Sequence, residues 1–339
     1  MFKSAMLGCG GRARGHADAY KFVKGGKLSA ICDLSNDLLQ KLGNDFGIEK
    51  RYSKYEEMLE KEKPDVLHIV TPPTLRHSLM KVAADHGVKA VIVEKPIAVQ
   101  AEDYRDLLGL ANSSQTKFIV NTQLNFHPRN LDLKKTVAEG KIGEIKFIEG
   151  SARMWPVEQA PHVLQLISSY INNSQPVKVF AQTAGKHYLT HKSPSPDNST
   201  AAIWYKNGVR AHVNFGTASA PKVHESEHVH MHKRVAVYGS KGYIQWTMWN
   251  WERFTPEGGY ESGKHDYGAE DVLAQAGLTD AVFDWIKDES KIHPTHLKQS
   301  LAEFNLLLGI YVSGLEHRVL DLPFDPPNKL LETLKNLPN

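Results

Sequence analysis

The chain opens with MFKSAMLGCGGRARG, residues 1–15, and this stretch decides the fold. A short apolar run leads into Gly8-x-Gly10-x-x-Ala13, and a helix is predicted from about Arg14. A strand, a tight glycine turn and a helix in that order let the backbone approach a pyrophosphate and point helix N-terminal amides at it. The stretch therefore predicts a dinucleotide-binding unit.

Asp33 strengthens this interpretation. It closes the next apolar run, Lys27–Asp33, roughly 20 residues beyond the second glycine, the spacing of a carboxylate that receives the adenosine ribose hydroxyls. A carboxylate there favours NAD, since it repels the 2′-phosphate of NADP. Arg12 and Ser35 keep NADP as an alternative, and an unrelated glycine turn with Asp33 as a helix cap is the alternative to cofactor binding. The predicted cofactor contacts here are Gly8, Gly10, Gly11, Arg12, Ala13 and Asp33.

The composition indicates a globular protein of about two domains. The chain has 339 residues, 41% of them hydrophobic and 23% charged, with a formal net charge of +3. That charge is too small to argue for nucleic acid, and no apolar run approaches the ~18 residues of a membrane span. The first seven residues are too short for a signal-peptide core, and Cys9 and Cys32 form no C-x-x-C pair. We therefore expect a cytoplasmic protein with no nucleic-acid or membrane partner.

Up to about residue 122, predicted strands and helices alternate. Continuous apolar strands separated by helices indicate a parallel sheet covered on both faces. Residues 1–122 are therefore predicted to form a doubly wound Rossmann domain. Its predicted strands after Asp33 are Asp65–Val70, Lys89–Val93 and Lys117–Asn121, and its predicted helices are Asn36–Phe46, Lys54–Lys61, Leu75–His86 and Ala101–Ala111.

After about residue 140 the pattern changes to period two, with polar and apolar residues alternating over Val209–Phe215. Residues 123–339 are therefore predicted to form an α/β domain with an open, largely antiparallel sheet of five or six strands. Because a monomer rarely leaves such a face uncovered, we expect a homodimer or homotetramer through the open sheet. The other predicted strands are Glu144–Met154, Val177–His187, Thr200–Lys206 and Val229–Tyr238; predicted helices are Leu278–Asp288 and His296–Leu315, and predicted irregular stretches are His191–Asn198 and Thr255–Tyr267.

A second signature, Val93-Glu94-Lys95-Pro96, ends the predicted strand Lys89–Val93, and Thr71-Pro72 ends the predicted strand Asp65–Val70. With the glycine turn and Gly15-His16, these residues closely resemble the glucose-fructose oxidoreductase / inositol dehydrogenase / MocA (Gfo/Idh/MocA) family. In the first half of the chain the resemblance lies in these motifs. In the second half it lies in the predicted architecture and in the stretch Leu301–Pro323. Members are mostly NAD- or NADP-dependent oxidoreductases of sugars, inositols and related polyols. The resemblance implies that the cofactor also contacts Thr71, Pro72, His77, Glu94 and Lys95.

The same resemblance implies a catalytic set of Lys95, Glu158 and His162. In the family the motif lysine reaches the reacting hydroxyl, and an Asp-x-x-x-His pair at the start of a helix supplies the base. Neutral imidazole can take the alcohol proton, and a lysine can stabilise the developing alkoxide. With Pro161 as the first helical residue, His162 would sit in the first turn, where the helix dipole disfavours imidazolium, and Glu158 in the incoming loop could fix its tautomer. The alternatives are a surface lysine and a structural histidine.

The substrate side departs from the family pattern. Glu158 replaces the aspartate, Gln165 stands where aspartate is common, and Arg153-Met-Trp155-Pro156 replaces a glycine-rich approach. The family often carries Arg-Phe-x-Pro where this chain has Asn125-Phe126-His127-Pro128. The resemblance thus implies a preserved nucleotide site and a rebuilt substrate side. The predicted substrate contacts are Asn125, Trp155 and Gln165.

The expected function is that of an NAD(P)-dependent dehydrogenase acting on a sugar, inositol or related polyol hydroxyl. The alternatives on the same fold are a redox-neutral NAD-dependent glycosidase or lyase, and a non-catalytic regulator that senses a dinucleotide. Cofactor that binds tightly with no substrate turned over would favour the regulator.

Two further groups of residues are conspicuous. Three of the histidines between His224 and His232 would point the same way in a strand, which suggests zinc. Same-face positions are about 7 Å apart, however, so the histidines would not converge on one ion and no metal site is predicted. Trp246, Trp249 and Trp251 are either core residues or an apolar platform for a sugar ring.

Overall fold

The computed structural model of the protein describes residues 1–336. They form two compact units, each built from segments distant in sequence. The first unit consists of Met1–Ala98, Arg105–His127 and Gly268–Lys298, and the second of residues 99–104, 128–267 and 299 onward. This grouping differs from the predicted continuous division after residue 122, and the last three residues of the predicted 123–339 domain lie outside the described part.

The first unit contains a six-stranded parallel sheet in the order β3-β2-β1-β4-β5-β6. This order confirms the predicted doubly wound Rossmann fold. The switch point of such a sheet lies between β1 and β4, and ligands bind there, outside the carboxyl ends of the strands. The strands are β1 Phe2–Leu7, β2 Gly26–Cys32, β3 Lys50–Tyr52, β4 Val66–Ile69, β5 Ala90–Glu94 and β6 Lys117–Asn121.

The helices agree well with the predicted ones in the first half of the chain. The second helix matches its prediction residue for residue, because Ser35 caps its start by accepting a hydrogen bond from Leu38 and Gly47 ends it in a left-handed conformation. The first begins at Gly11, earlier than the predicted Arg14. The helices are α1 Gly11–Ala19, α2 Asn36–Phe46, α3 Tyr55–Glu62, α4 Arg76–Asp85, α5 Ala101–Ser113, α6 Pro128–Ala138, α7 Pro156–Tyr170, α8 Tyr267–Lys287, α9 Leu297–Glu316 and α10 Leu330–Thr333.

Helix α8 explains why the first unit extends beyond residue 122. Its side chains Leu278, Val282 and Phe283 are fully buried in one hydrophobic cluster with Val66 and Ile92 of the parallel sheet. A distant segment therefore completes the core of the Rossmann sheet, which no local pattern indicates. No helix within residues 1–336 combines the length and the apolar character needed to cross a bilayer.

The second unit contains a nine-stranded sheet in the order β14-β13-β12-β11-β7-β10-β9-β8-β15. Only β7 and β10 pair in parallel among these neighbours, which confirms the largely antiparallel prediction. The strands are β7 Ile145–Ala152, β8 Pro176–Ala184, β9 Asn198–Tyr205, β10 Arg210–Phe215, β11 Lys233–Gly239, β12 Tyr243–Thr247, β13 Asn250–Thr255, β14 Gly259–Lys264 and β15 Leu320–Asp321.

Three predictions in this sheet are wrong. The number of strands was underestimated, and part of the predicted irregular stretch Thr255–Tyr267 forms β14, whose sequence GYESGK has no apolar periodicity to reveal a strand. The predicted strand Val229–Tyr238 begins only at Lys233, after a 3-10 turn over Val229–Met231. The histidines before Lys233 therefore do not share one strand face, and the predicted 7 Å spacing does not describe them.

The two faces of this sheet differ. Helix α7 packs on one face, where Val163 and Ile167 lie so close to Gly150 that a Cβ there would meet both at 2.6 and 2.9 Å. The other face carries a row of neighbouring rings with centroids 4.9 to 6.5 Å apart, which we call the aromatic row. It consists of Phe254, Tyr243, Tyr238, Phe147 and His212 on five adjacent strands.

Candidate nucleotide-binding and active-site residues

The glycine turn after β1 contacts the end of β4 at Gly8 and has open space at Gly10 and Gly11. Gly8 has φ +96°, and a Cβ there would lie 2.4 Å from the carbonyl oxygen of Val70. A Cβ at Gly10 or Gly11 would meet no atom of residues 1–336 within 4 Å. Glycine is therefore required at the first position by the fold, whereas the next two leave space over the backbone at the start of α1.

Asp33 lies just past the carboxyl end of β2 and is held in place by backbone amides. Its Oδ2 accepts from the amide of Cys9 at 2.7 Å, and its Oδ1 accepts from the amide of Ser35 at 2.7 Å. Each carboxylate oxygen has further lone-pair capacity, so the group can still accept ribose hydroxyls. The Ser35 hydroxyl oxygen accepts from the amide of Leu38 and so caps α2.

A cavity of about 370 Å³ lies beside these residues at the switch point. Among the predicted contacts, Gly8, Gly10, Asp33, Thr71 and Pro72 line it; Gly11, Arg12, Ala13, His77, Glu94 and Lys95 do not. The rest of its wall is mostly apolar and consists of Leu7, Cys32, Leu34, Leu38, Ser53, Tyr55, Val70, Leu75 and Leu79.

The cavity residues fit the adenosine end of a dinucleotide. Leu34 is 94% exposed and Leu75 50% exposed, and apolar side chains left open to solvent suit a flat ring. The Thr71 hydroxyl is buried and has no hydrogen-bond partner within residues 1–336, so a ligand could supply one. Asp33 places a carboxylate at the cavity wall, where ribose hydroxyls could donate to it.

Glu94, at the end of β5, is a buried hub of hydrogen bonds. Its Oε1 accepts from Arg12 Nε at 2.8 Å and from Asn121 Nδ2 at 2.7 Å, and it lies 2.8 Å from His16 Nε2. Burial favours the protonated acid, but the charge of Arg12 and the hydrogen bond from His16 outweigh it and hold the pKa of Glu94 well below its usual range. Arg12 is thus engaged by Glu94 and, at 3.0 Å, by Gln275.

The histidine bonded to Glu94 continues into a buried chain. His16 Nδ1 lies 3.0 Å from His68 Nδ1, and His68 Nε2 lies 2.8 Å from the hydroxyl of Tyr20. Sequence analysis missed His68 and Tyr20. The available signal was His68 itself, a lone polar residue in the otherwise apolar strand Val66–Ile69.

Lys95 directly follows β5 at the carboxyl edge of the sheet, where it is partly exposed. Its backbone amide donates to Glu94 Oε2 at 3.1 Å. The buried guanidinium of Arg76 donates to the carbonyls of Thr71 at 3.0 Å and Lys95 at 3.3 Å. Arg76, which sequence analysis also missed, therefore ties the two strand-end motifs together.

In the second unit, α7 begins earlier than predicted. Pro156 is its first residue, and Pro161 lies inside the helix. Glu158 is consequently in the first turn and not in a loop, and His162 lies one turn further on. Because the dipole effect fades within the first turn, it does not explain a neutral His162, and that part of the prediction is wrong. Glu158 and His162 are four residues apart and share one side of the helix.

The predicted substrate contacts are distributed over both units. Asn125 lies buried in a 3-10 turn of the first unit, whereas Trp155 and Gln165 belong to the second. Trp155 stacks on Tyr188 with ring centroids 4.2 Å apart. Gln165 is fully buried, and neither of its amide atoms has a hydrogen-bond partner within residues 1–336. Met154, just before α7, has a left-handed φ of 75°, a strained conformation typical of functional segments.

The conspicuous histidines and tryptophans have structural contacts. His224 stacks on Trp249 at 4.1 Å, and His232 Nε2 lies 2.8 Å from the carbonyl of Ser226. Trp246 is a fully buried core residue. Trp251 has the guanidinium of Arg129 4.1 Å and that of Arg253 5.5 Å from its ring centre. Cation contacts therefore already engage the Trp251 ring.

Residues 2–122 match the family described as "Oxidoreductase family, NAD-binding Rossmann fold". A D-apiose dehydrogenase from Paraburkholderia graminis is 31% identical over 142 residues, which are 42% of this chain and 38% of that protein. An inositol 2-dehydrogenase from Rhizobium meliloti is 26% identical over 148 residues, 44% of this chain and 44% of that protein. The matches thus span less than half the length of these curated relatives.

Both units have a counterpart among solved structures. The crystal structure of an oxidoreductase from Agrobacterium radiobacter in complex with NAD+, L-tartaric acid and magnesium matches with a TM-score of 0.79 at 20% identity, over 94% of this chain and 98% of that one. This likeness shows the fold. Residues 2–122, less than half of the chain, thus match the model of the glucose-fructose oxidoreductase / inositol dehydrogenase / MocA family, and the first unit has a Rossmann fold.

Proposed function

We propose that this protein is an NAD-dependent dehydrogenase that transfers hydride between a secondary hydroxyl of a sugar, inositol or related polyol and nicotinamide. The observation that carries the proposal is Lys95 at the carboxyl end of β5, next to a Glu94 that is bonded to Arg12 of the glycine turn. The backbone of a cationic residue is thereby held at the edge where this fold binds its ligands. The names of the similar apiose and inositol dehydrogenases support the substrate class.

NAD would supply the hydride acceptor when bound. Lys95 is proposed to stabilise the charge that develops on the substrate oxygen as its proton leaves. His162 is proposed to accept that proton, and Glu158, four residues earlier on the same side of α7, to orient the imidazole. Asn125, Trp155 and Gln165 are proposed to contact the substrate; the unsatisfied amide of Gln165 supports this, since a polyol both donates and accepts hydrogen bonds.

NAD is proposed over NADP. Both oxygens of Asp33 are held by backbone amides at the cavity wall, where they would repel a 2′-phosphate. The two residues that kept NADP as an alternative are engaged elsewhere, Arg12 by Glu94 and Ser35 as the cap of α2.

The experiment is to follow the near-ultraviolet absorbance of NADH when the purified protein meets NAD and a panel of D-apiose, inositols and other aldoses. Reduction of NAD with one substrate class supports the dehydrogenase and identifies its substrate. No reduction by any of them, with NAD bound to the protein, contradicts the proposal.

A redox-neutral glycosidase or lyase is the second candidate. The strained Met154 and the Trp155–Tyr188 stack, at the segment that departs from the family pattern, favour it. Cleavage of a glycoside without accumulation of NADH would distinguish it from the dehydrogenase.

We also propose that the protein is a cytoplasmic homo-oligomer. The aromatic row lies on the face of the sheet opposite α7 and is partly exposed, as expected of a surface that a second copy covers. Cys9 and Cys32 are buried free thiols, and burial, reinforced by Asp33, raises their pKa values to about 12 and about 11. Unpaired cysteines of this kind are compatible with a reducing compartment.

A further inference from the structure

We propose that His68 and Tyr20 are positioning residues that fix the tautomer of His16 and, through it, hold the Glu94 carboxylate at the backbone amide of Lys95. The role of Lys95 rests on the proposed function, whereas the hydrogen-bonded chain is a property of the first unit alone. The chain runs from Tyr20 through His68 and His16 to Glu94, and it crosses from α1 to the neighbouring strands β4 and β5.

The chain is continuous and buried. Its three links measure 2.8 Å from Tyr20 to His68, 3.0 Å from His68 to His16 and 2.8 Å from His16 to Glu94. Both imidazoles are at most 1% exposed, and Tyr20 is partly exposed. Water therefore does not substitute for a missing link, because the rings have no access to it.

The bonding pattern determines where each proton lies. Glu94 is ionised and accepts only, so Nε2 of His16 must donate to it, and Nδ1 of His16 must then accept. His68 consequently donates from Nδ1 and accepts at Nε2 from the hydroxyl of Tyr20. With two neutral rings, this is the one arrangement that satisfies all three links, and every proton is directed towards Glu94.

The surrounding charges make this arrangement self-consistent. Burial lowers the pKa of His16 in spite of the adjacent Glu94. Burial, and to a lesser extent the neighbouring His16, lowers the pKa of His68 well below its usual value. The chain thus carries one negative charge, on Glu94, which Arg12 balances. The charged or titratable groups that face it from all sides are Arg12 of α1, His68 of β4, Glu94 of β5, and Asp271 and Asp280 of α8.

Loss of His68 would remove the donor to His16 Nδ1. His16 could then change tautomer and withdraw its donor from Glu94, or bind a proton and place a second positive charge beside Arg12 at the same Oε1 of Glu94. Arg12 belongs to the glycine turn, and Glu94 also accepts from the backbone amide of Lys95. Protonation of His16 should therefore disturb both the nucleotide turn and the position of Lys95.

The test compares His68→Leu, His68→Gln and wild type as full-length, ¹⁵N-histidine-labelled proteins. A glutamine supplies both an amide donor to His16 and a carbonyl acceptor for Tyr20. NMR reads the tautomer of His16, assigned with a His16→Gln variant, and calorimetry gives the NAD dissociation constant between about pH 6 and pH 8. His86→Leu, which removes an exposed histidine of the same unit, is the control.

We expect wild type, His68→Gln and His86→Leu to show an Nε2–H His16 and an NAD affinity that does not vary with pH. In His68→Leu we expect His16 to titrate and the NAD affinity to fall about tenfold towards the acidic end. An unchanged His16 signal in His68→Leu overturns the proposal, as does an equal loss in His68→Gln, which would indicate packing alone.

Tyr20→Phe extends the test if His68→Leu fails to fold, because it removes one hydroxyl and no strand residue. We expect the His68 signal to shift and that of His16 to follow; no change in either overturns the proposal. Neither readout depends on a substrate. A wild-type protein that shows the predicted His16 signal but never reduces NAD would contradict the proposed function and leave this inference standing.

Discussion

Arg12 in the glycine turn donates its Nε–H to the carboxylate of Glu94 at the end of β5, 82 residues later in the chain, at 2.8 Å. This bond connects the dinucleotide turn with the strand end that carries Lys95. The glycine turn and the Glu94-Lys95-Pro96 motif are therefore physically linked as well as jointly present in the sequence. A change in either is expected to affect the other.

Asp33→Ala should weaken NAD binding about tenfold and reduce the preference for NAD over NADP. The carboxylate is the predicted acceptor for the ribose hydroxyls and the group that repels a 2′-phosphate. Titration of each nucleotide by calorimetry measures both effects. Asp37→Ala, in the first turn of α2, is the matched control, and equal effects of the two variants would contradict the role of Asp33.

Gly8→Ala and Gly10→Ala should fail in different ways. The added Cβ at Gly8 collides with Val70 in a left-handed turn, so we expect a loss of roughly 1–3 kcal/mol in the free energy of unfolding. Gly10 has free space around it, so that variant should fold normally and lose NAD affinity. Urea unfolding and NAD titration separate the two. Gly87→Ala, which also has a left-handed φ, +70°, but no nearby atoms, controls for backbone strain.

Lys95→Ala should lower kcat by about a hundredfold or more, as removal of an oxyanion donor typically does, while NAD binding changes far less. Single-turnover kinetics with the substrate found in the panel measures the effect. Lys89→Ala, at the residue just before β5, is the control. Unchanged turnover in Lys95→Ala would exclude the proposed mechanism.

Glu303→Gln should remove a pH dependence of stability in the second unit. Burial raises the pKa of Glu303 to about 8, against hydrogen bonds from Gln299 and Ser168. Because the unfolded value is about 4.3, the folded protein retains a proton that the unfolded chain releases, and stability falls as pH rises from about 4 to about 8.

At neutral pH the cost of the buried acid is roughly 3 kcal/mol, and the glutamine variant should recover much of it. Thermal unfolding of wild type and Glu303→Gln at several pH values measures the difference. Glu316→Gln, an exposed position on the same helix, should behave like wild type. Parallel pH profiles for Glu303→Gln and wild type would contradict the assignment.

Tyr243→Glu should dissociate the proposed oligomer, because it places a charge in the middle of the aromatic row. Light scattering coupled to size exclusion gives the mass of each variant. Asn112→Glu adds the same charge to an exposed position on α5 and should leave the assembly intact. A wild-type protein that is monomeric at micromolar concentration would contradict the proposed interface.

Local sequence determined much of the first unit. The glycine turn could be predicted because the left-handed backbone at Gly8 requires glycine. Helix α2 could be predicted because Ser35 caps its start and Gly47 ends it. The start of α7 was predicted wrongly because Pro161 was taken as the first helical residue. Pro156, five residues earlier, is equally suited to that position and is where the helix begins. Strand β14 was missed since its residues show no periodicity, and pairing with β13 alone makes it a strand.

The sequence by itself determined the parallel sheet with its glycine turn and predicted a dinucleotide site there, since backbone geometry and hydrophobic periodicity act over a few residues. Tertiary structure alone decided which buried polar groups meet. His16 reaches partners 52 and 78 residues away, and Phe283 completes a core begun by Val66. A buried polar group can bond only to the partners that the fold brings next to it. Because those partners are distant in sequence, no local pattern predicts which of them will meet.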